Sequence, residues 1–426
     1  MKTISKVALA AALSFGAVTT LGVSPAIAQK KEKAKAPQFS EAFRKAATEA
    51  DAKINAKDWA GAEPLVAASE AAAKSNEERY YAQVARLKLE DGRQNAAGKT
   101  AALDALIANP ATPAEQQGFF NFHRGVTAIQ AKKPAEALPF LKKAQQLGYQ
   151  DPDGQLPVLI AGAQGDTGDA AGAAASMEQA IAAKKAAGQK PPEDWYNYVV
   201  ARLYKSGDRT GTANWLMREV ADYPGPENWR KIILVYRESR GKANEALPRQ
   251  EKLDLYRLQR ATGALAGGSD YVDYANAAQN SGLPWEAKKV IDEGRASGKL
   301  TANDANASTI YSVATKSLAA EKPLATYEKQ ASTDATGKLS AQTADAYLAS
   351  GEYAKAATLY RAALQKGSVN TDEVNTRLGI ALANSGDKAG AKAAFAEVKQ
   401  APRVDIAKFW MTYLDLQGGA SAGGAQ

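Results

Sequence analysis

The chain has 426 residues, with 54 lysines and arginines against 46 aspartates and glutamates, a formal net charge of +8, no cysteine and one histidine. The lack of cysteine excludes disulfides, thiol nucleophiles and thiolate metal sites, and one histidine excludes metal sites built from several. A mild positive charge spread over this length gives no reason to expect a nucleic-acid partner.

The first 28 residues have the pattern of a secretion signal peptide. Lys2 and Lys6 give a basic start, an apolar run follows, and Ala26 and Ala28 form the small-x-small arrangement that precedes a cleavage site. We expect cleavage after Ala28, which leaves a net charge of +6 (+8 less two lysines), and a periplasmic location in a Gram-negative bacterium. No later run of about 18 apolar residues could span a bilayer, so we expect no membrane insertion after signal removal. Residues 29–39 are predicted to be a charged, flexible tether.

A short sequence pattern then recurs along the chain at intervals of 31 to 41 residues. Its copies are KDWAGA at 57, GRQNAA at 92, KKPAEA at 132, GDAAGA at 168, GDRTGTA at 207, GKANEA at 241, GLPWEA at 282, AEKPLA at 320, GEYAKA at 351 and GDKAGA at 386. This is the period of an array of helical hairpins, in which two helices of roughly 12 to 15 residues are joined by a tight turn. We therefore predict an all-α fold of about ten hairpins over residues 40–416, with the stretched spacing at 241–330 indicating non-standard helix pairs.

Each copy is interpreted as the hinge between two helices. A residue such as Gly351 would end the first helix in a left-handed conformation, which glycine adopts without a side-chain clash. An acidic residue would then cap the second helix, where free amides and the helix dipole favour negative charge. The predicted caps are Asp58, Asp169, Asp208, Glu352 and Asp387.

These repeats resemble the tetratricopeptide repeat family. Its pattern of Leu-Gly-x2-Tyr, Ala-x3-Phe and Pro is nearly met by Leu378, Gly379, Leu382, Ala391, Phe395 and Pro402. The resemblance implies a right-handed superhelical solenoid in which the first helix of each hairpin lines a concave, partner-binding groove. Residues 404–416 are predicted to be a C-terminal cap helix, and residues 417–426 a disordered Gly/Ala/Ser tail.

Three segments resemble catalytic motifs, but each has a simpler interpretation. VLIAGAQGDTG, residues 158–168, resembles the glycine turn of a dinucleotide-binding dehydrogenase, yet Gly168 falls in phase with the hinges and no Tyr-x3-Lys pair exists. Residues 92–100 have five residues between the glycines, whereas a phosphate-binding loop needs four. His123 is interpreted as a helix residue beside Phe119 and Phe122. We therefore expect no catalytic residues, no cofactor and no metal.

Two neighbouring repeats carry the candidate binding residues. Trp195, Tyr198, Arg202 and Lys205 share one face of a helix at spacings of i, i+3, i+7 and i+10, and the first helix of the next repeat carries Arg230 and Arg237. If the resemblance holds, they form an aromatic and basic patch in the groove, suited to an extended acidic peptide. The alternative is that the aromatic rings pack between helices and the charges are merely solvated.

The sequence thus favours an exported protein–protein interaction scaffold of the bacterial cell envelope, binding other envelope proteins, and leaves the oligomeric state open. The alternative function is a cell-wall glycan-processing enzyme, or a polysaccharide-export accessory, built on a helical superhelix. Two catalytic carboxylates facing one cleft would favour the enzyme.

Overall fold

The computed structural model describes residues 38–241 and 247–422, and every regular element in these two ranges is an α-helix. The predicted all-α fold of helical hairpins is confirmed. The chain forms two compact units divided between Gln189 and Lys190, a division that the repeat pattern did not predict. The predicted signal peptide and most of the tether lie outside the described residues. Among the helices of both ranges, none combines the length and apolar character that a bilayer crossing requires.

From residue 38 onward, unit 1 consists of four helical hairpins. Its helices are α1 (Glu41–Asn55), α2 (Trp59–Ala72), α3 (Asn76–Gly92), α4 (Ala96–Ala108), α5 (Ala114–Gln130), α6 (Pro134–Gln146), α7 (Leu156–Asp166) and α8 (Ala170–Ala186). The two helices of each hairpin pack together, and each hairpin packs on the next. The cores are local: Leu103 and Leu106 of α4 pack with Tyr80 of α3 and Phe120 of α5.

Unit 2 contains the remaining helices. These are α9 (Glu193–Ser206), α10 (Arg209–Asp222), α11 (Pro226–Gly241), α12 (Arg249–Ala261), α13 (Gly268–Asn280), α14 (Pro284–Ala296), α15 (Ala305–Ala320), α16 (Leu324–Thr333), α17 (Lys338–Ser350), α18 (Tyr353–Lys366), α19 (Thr371–Asn384), α20 (Lys388–Ala396) and α21 (Arg403–Ala422).

Most hinges have the predicted left-handed turn, as at Gly351, where φ is +92°. In the hinge at 92 the left-handed residue is Gln94, because Gly92 belongs to α3 and leaves room for the ring of Trp59. The hinge at 320 differs, because no residue there has a positive φ. The hinge at 241 falls mainly on residues outside the described ranges.

Four of the five predicted helix caps are present. Each accepts a hydrogen bond from the backbone N–H three residues later, at 2.8 to 2.9 Å: Asp58, Asp169, Asp208 and Asp387. Glu352 does not cap α18 and instead forms a salt bridge with Lys355 at 2.7 Å. The physical reason is its additional methylene, which carries the carboxylate past the amides that a shorter aspartate reaches.

Helix α21 closes unit 2 by packing against α10 and α12 as well as α19 and α20. Trp229 and Tyr236 of α11 are buried edge-to-face against Tyr413 and Phe409, with ring centroids 6.1 and 5.2 Å apart. The Tyr413 hydroxyl also donates to the carbonyl oxygen of Ala261 at 2.8 Å. The helix predicted as a terminal cap therefore completes the core at the start of the same unit.

The helix is also longer than predicted. Residues 417–422, which were expected to be disordered, continue α21, and residues 423–426 lie outside the described ranges. Continuing a helix that is already formed and packed avoids the cost of starting a new one, so the extension tolerates Gly418 and Gly419, which each cost about 1 kcal/mol relative to alanine.

Candidate functional site

The first helices of two consecutive hairpins, α9 and α11, lie side by side in unit 2. Three side-chain hydrogen bonds join them: Asn228 to Glu193 at 2.8 Å, Lys231 to Asn197 at 3.2 Å, and Tyr204 to Glu238 at 2.9 Å. The partners are 34 or 35 residues apart, which is one repeat period. The two helices therefore present one shared surface, as the family resemblance implied.

The six predicted binding residues do not form one patch on this surface. At 100° per residue, Trp195, Tyr198 and Arg202 lie roughly 120° to 180° around α9 from the side that contacts α11. Arg230 and Arg237 lie on the side of α11 that turns away from α9. The spacing within each helix was predicted correctly, but the two sets face in different directions.

Contacts to the next helices explain where the two α11 arginines point. Arg230 forms a salt bridge with Asp270 of α13, and Arg237 lies over the ring of Tyr256 of α12, with Cζ 4.8 Å from the ring centroid. Arg237 also donates to the Tyr256 hydroxyl at 3.1 Å. Arg230 and Arg237 therefore both hold α11 to its neighbours within unit 2, and their role in partner binding stays a prediction.

A different set of residues is exposed between the two helices. Tyr204 and Leu234 retain 37% and 39% of their surface, and few large apolar side chains in the described ranges are as exposed. Leu234 stands one turn before Glu238, which accepts the Tyr204 hydrogen bond, so the two apolar groups are neighbours across the helices. We call Tyr204, Lys231, Leu234 and Glu238 the α9–α11 strip. None of the six predicted residues belongs to it.

Two residues of the strip are held in place by their partners. The guanidinium of Arg209 stacks on the Tyr204 ring, with Cζ 3.9 Å from the centroid, and the hydrogen bond to Glu238 raises the pKa of the Tyr204 hydroxyl. Lys231 donates to the fully buried Glu219 at 3.0 Å as well as to Asn197. Burial raises the pKa of Glu219, and Lys231 opposes that shift. The strip therefore offers a fixed ring and a fixed cation beside an exposed leucine.

A second arrangement, which we call the Asp254 cluster, is buried in unit 2. Asp254 of α12 accepts hydrogen bonds from Arg257 at 2.8 Å and from Arg403 of α21 at 2.7 Å, with Arg377 Nε at 3.6 Å. Arg257 also binds Glu286 through two nitrogens, at 2.9 and 2.6 Å. Burial by itself would raise the pKa of Asp254, but the attraction of the three guanidinium groups lowers it below its ordinary value. The cluster ties α21 and α19 to α12.

Two carboxylates share a cavity beside this cluster, the feature that would favour a glycan-processing enzyme. Asp345 and Glu373 line a cavity of about 250 Å³ together with Arg377. Both carboxylates form salt bridges with Nη1 of Arg377, at 2.7 and 2.6 Å. Because both oxygens hold the same guanidinium, the pair has the arrangement of an ion-pair network and does not favour an acid and base acting on a sugar.

His123 lies where the sequence predicts, in α5 beside two aromatic rings. Its centroid is 4.2 Å from that of Phe119 and 5.3 Å from that of Phe122. Burial, aided by the nearby charge of Lys99, lowers the pKa of His123 to about 4. Within the described ranges, no three acidic or histidine side chains are grouped so that they could hold a metal ion.

No protein-family model and no curated protein matches the chain. Among solved structures it is similar to the pentatricopeptide repeat protein PPR10 from maize, at 16% identity and a TM-score of 0.31 over 89% of this chain and 53% of that one. It is also similar to a Rap protein complexed with competence and sporulation factor (14% identity, TM-score 0.25, 76% of this chain and 97% of that one). A third is yeast Tom70, at 10% identity and a TM-score of 0.23 over 88% of each chain. The chain spans about half the length of PPR10. TM-scores this low support no conclusion about this chain. Its helical-repeat assignment rests on its own hairpins.

Proposed function

We propose that this protein is an exported tetratricopeptide-like scaffold of the bacterial cell envelope, located in the periplasm, which binds segments of partner proteins and catalyses no reaction. The observation that carries the proposal is the α9–α11 strip, where Tyr204 and Leu234 are exposed on two first helices that the Tyr204–Glu238 hydrogen bond joins. The basic and apolar start of the sequence, with its Ala26 and Ala28 cleavage pattern, supports export.

The strip has the properties of a binding hot spot. Tyr204 is held by Glu238 and Arg209 before any partner arrives, so little side-chain entropy is lost on binding. Leu234 supplies apolar surface that a partner side chain can cover. Lys231 is already paired with Glu219, so the apolar contact carries the recognition. The partner is thus an extended protein segment that presents a bulky apolar residue.

Site-specific photo-crosslinking tests the proposal. A photoreactive phenylalanine analogue placed at Leu234 should form covalent adducts with envelope proteins in cells, and Tyr204→Ala in the same chain should reduce them at least severalfold. Leu147 of unit 1 is a matched control position, since it is exposed to a similar extent, at 43%. Equal adduct formation from the two positions, or adducts that persist unchanged with Tyr204→Ala, would show that the strip is not the binding face.

A further inference from the structure

The hairpin of α15 and α16 is open, unlike its neighbours. Helix α15 packs against α13 and α14, whereas α16 packs against α17, and the two helices scarcely touch each other. The local cause is the linker between them. Glu321 is extended, with ψ of 143°, and Pro323 precedes α16, so the chain makes no left-handed turn to fold the second helix back on the first.

An open groove lies beside this linker. It has a volume of about 510 Å³ and is bounded by α14, α15 and α17. Trp285, Ala296 and Leu318 supply its apolar surface, and Ser350 lies at its α17 side. A groove of this size accommodates a few side chains of a bound segment.

One of the charged side chains that line the groove is a lysine without an acidic partner. Asp292 is neutralised by Lys288 at 2.9 Å, and Glu293 binds Arg260 of α12 through two nitrogens. Lys289 has neither a hydrogen bond nor an ion pair with any residue of the two described ranges. Its ammonium lies beside the α17–α18 turn, 3.3 Å from where a Cβ at Gly351 would stand. The groove therefore pairs an apolar floor with a single unneutralised ammonium group.

We infer that this groove is a second binding site, for an extended segment of a partner protein that places a bulky apolar side chain against Trp285 and Leu318 and the carboxylate of an aspartate or glutamate at Lys289. An internal acidic side chain suits the site better than a chain terminus, because one lysine is the only unneutralised donor cation lining the described groove. The site uses none of the residues of the α9–α11 strip, so it stands or falls independently of the proposed function.

A peptide selection tests the inference with the full-length mature protein. A phage library of linear twelve-residue peptides is selected on the wild type after depletion on Leu318→Asp, and the enriched peptides are synthesised and measured by calorimetry. We expect peptides in which a bulky apolar residue lies within a few positions of an acidic one. Lys289→Glu should weaken their binding at least tenfold. Exposed Lys316 lies on the same helix as Leu318 but outside the groove, so Lys316→Glu is the matched control and should change the affinity less than twofold.

A paired experiment tests the contact at the lysine itself. Replacing the acidic residue of the peptide by its amide should weaken binding to the wild-type protein. The Lys289→Met variant should instead bind the acidic peptide and its amide analogue with equal affinity. Leu234→Asp, in the α9–α11 strip, should leave this binding intact, so failure at one site is distinguishable from failure at the other. The inference is overturned if no peptide is enriched, if enriched peptides lack acidic residues, or if Lys289→Glu binds them normally. It is also overturned if Leu318→Asp or Lys289→Glu dissociates a dimer in light scattering, because the occupant would then be a second copy of the chain.

Discussion

Replacing Asp254 by asparagine tests how unit 2 is held closed. The change keeps the shape of the side chain but removes the charge that Arg257 and Arg403 contact at 2.8 and 2.7 Å, with Arg377 nearby. At an effective dielectric constant of 20, one such contact represents about 4 to 6 kcal/mol of gross attraction. Much of this is offset by the cost of burying the charges, and the arginines keep other carboxylate partners such as Glu286. We therefore expect a net loss of about 3 to 5 kcal/mol in the free energy of unfolding of unit 2.

Urea unfolding followed by tryptophan fluorescence measures this loss. Because the chain has two units, a single global transition is not expected, and the signal must report mainly on unit 2. Five of the six tryptophans belong to unit 2: Trp195, Trp215, Trp229, Trp285 and Trp410. The matched control is Asp292→Asn, which breaks an exposed pair with Lys288 within one helix and should cost less than about 1 kcal/mol.

The reasoning would be refuted if Asp254→Asn unfolded at the same urea concentration as Asp292→Asn. A double-mutant cycle adds a second check. If Asp254 and Arg403 act on each other directly, Asp254→Asn combined with Arg403→Met should cost clearly less than the sum of the single changes. Additive losses would show that the Asp254–Arg403 contact does not couple α21 to α12.

Three further outcomes are expected. The imidazole of His123, the chain's one histidine, should titrate in NMR spectra near pH 4. Because its pKa is lowered from 6.5, the free energy of unfolding of unit 1 should fall by up to about 3 kcal/mol as the pH drops from 6.5 to 4. A titration midpoint near 6.5 would contradict the burial argument. Gly379→Ala would place a Cβ 2.5 Å from the ring of the buried Phe395. Thermal melting should therefore show that unit 2 loses about 1 to 3 kcal/mol of stability, part of which Phe395→Leu restores. An unchanged melting temperature would contradict this expectation. The intact mass of the native protein should correspond to a chain starting at Gln29, and retention of Met1 would refute export by the predicted signal.

The features that sequence predicted well are local in the chain. A hinge is specified by a few adjacent residues, such as Gly207 followed by the cap Asp208, so its turn and its cap can be read from the pattern. The return of α21 could not be predicted in this way. Its hydrogen bonds to α11 and α12 join residues 149 to 169 positions apart, as between Arg403 and Asp254 or Tyr236 and Asp405, and no periodicity marks them.

The predicted binding residues lie on different faces for a related reason. Helical spacing correctly placed Trp195 and Arg202 on one side of α9, but the direction of that side depends on which neighbour the helix packs against. Residues one repeat period apart meet across adjacent first helices, so the spacing of 34 residues between Tyr204 and Glu238 could have indicated which side of α9 faces α11.

The long-range packing of α21 also determines the order in which the two units can fold. Helices of unit 1 contact their immediate or next neighbours along the chain, so each hairpin can be stabilised soon after it is synthesised. In unit 2 the surface of Trp229 and Tyr236 stays uncovered until α21 has been made, and closing so long a segment is slow. Pulsed hydrogen exchange during refolding should therefore protect α3 and α5 before α11, and simultaneous protection would argue against this order.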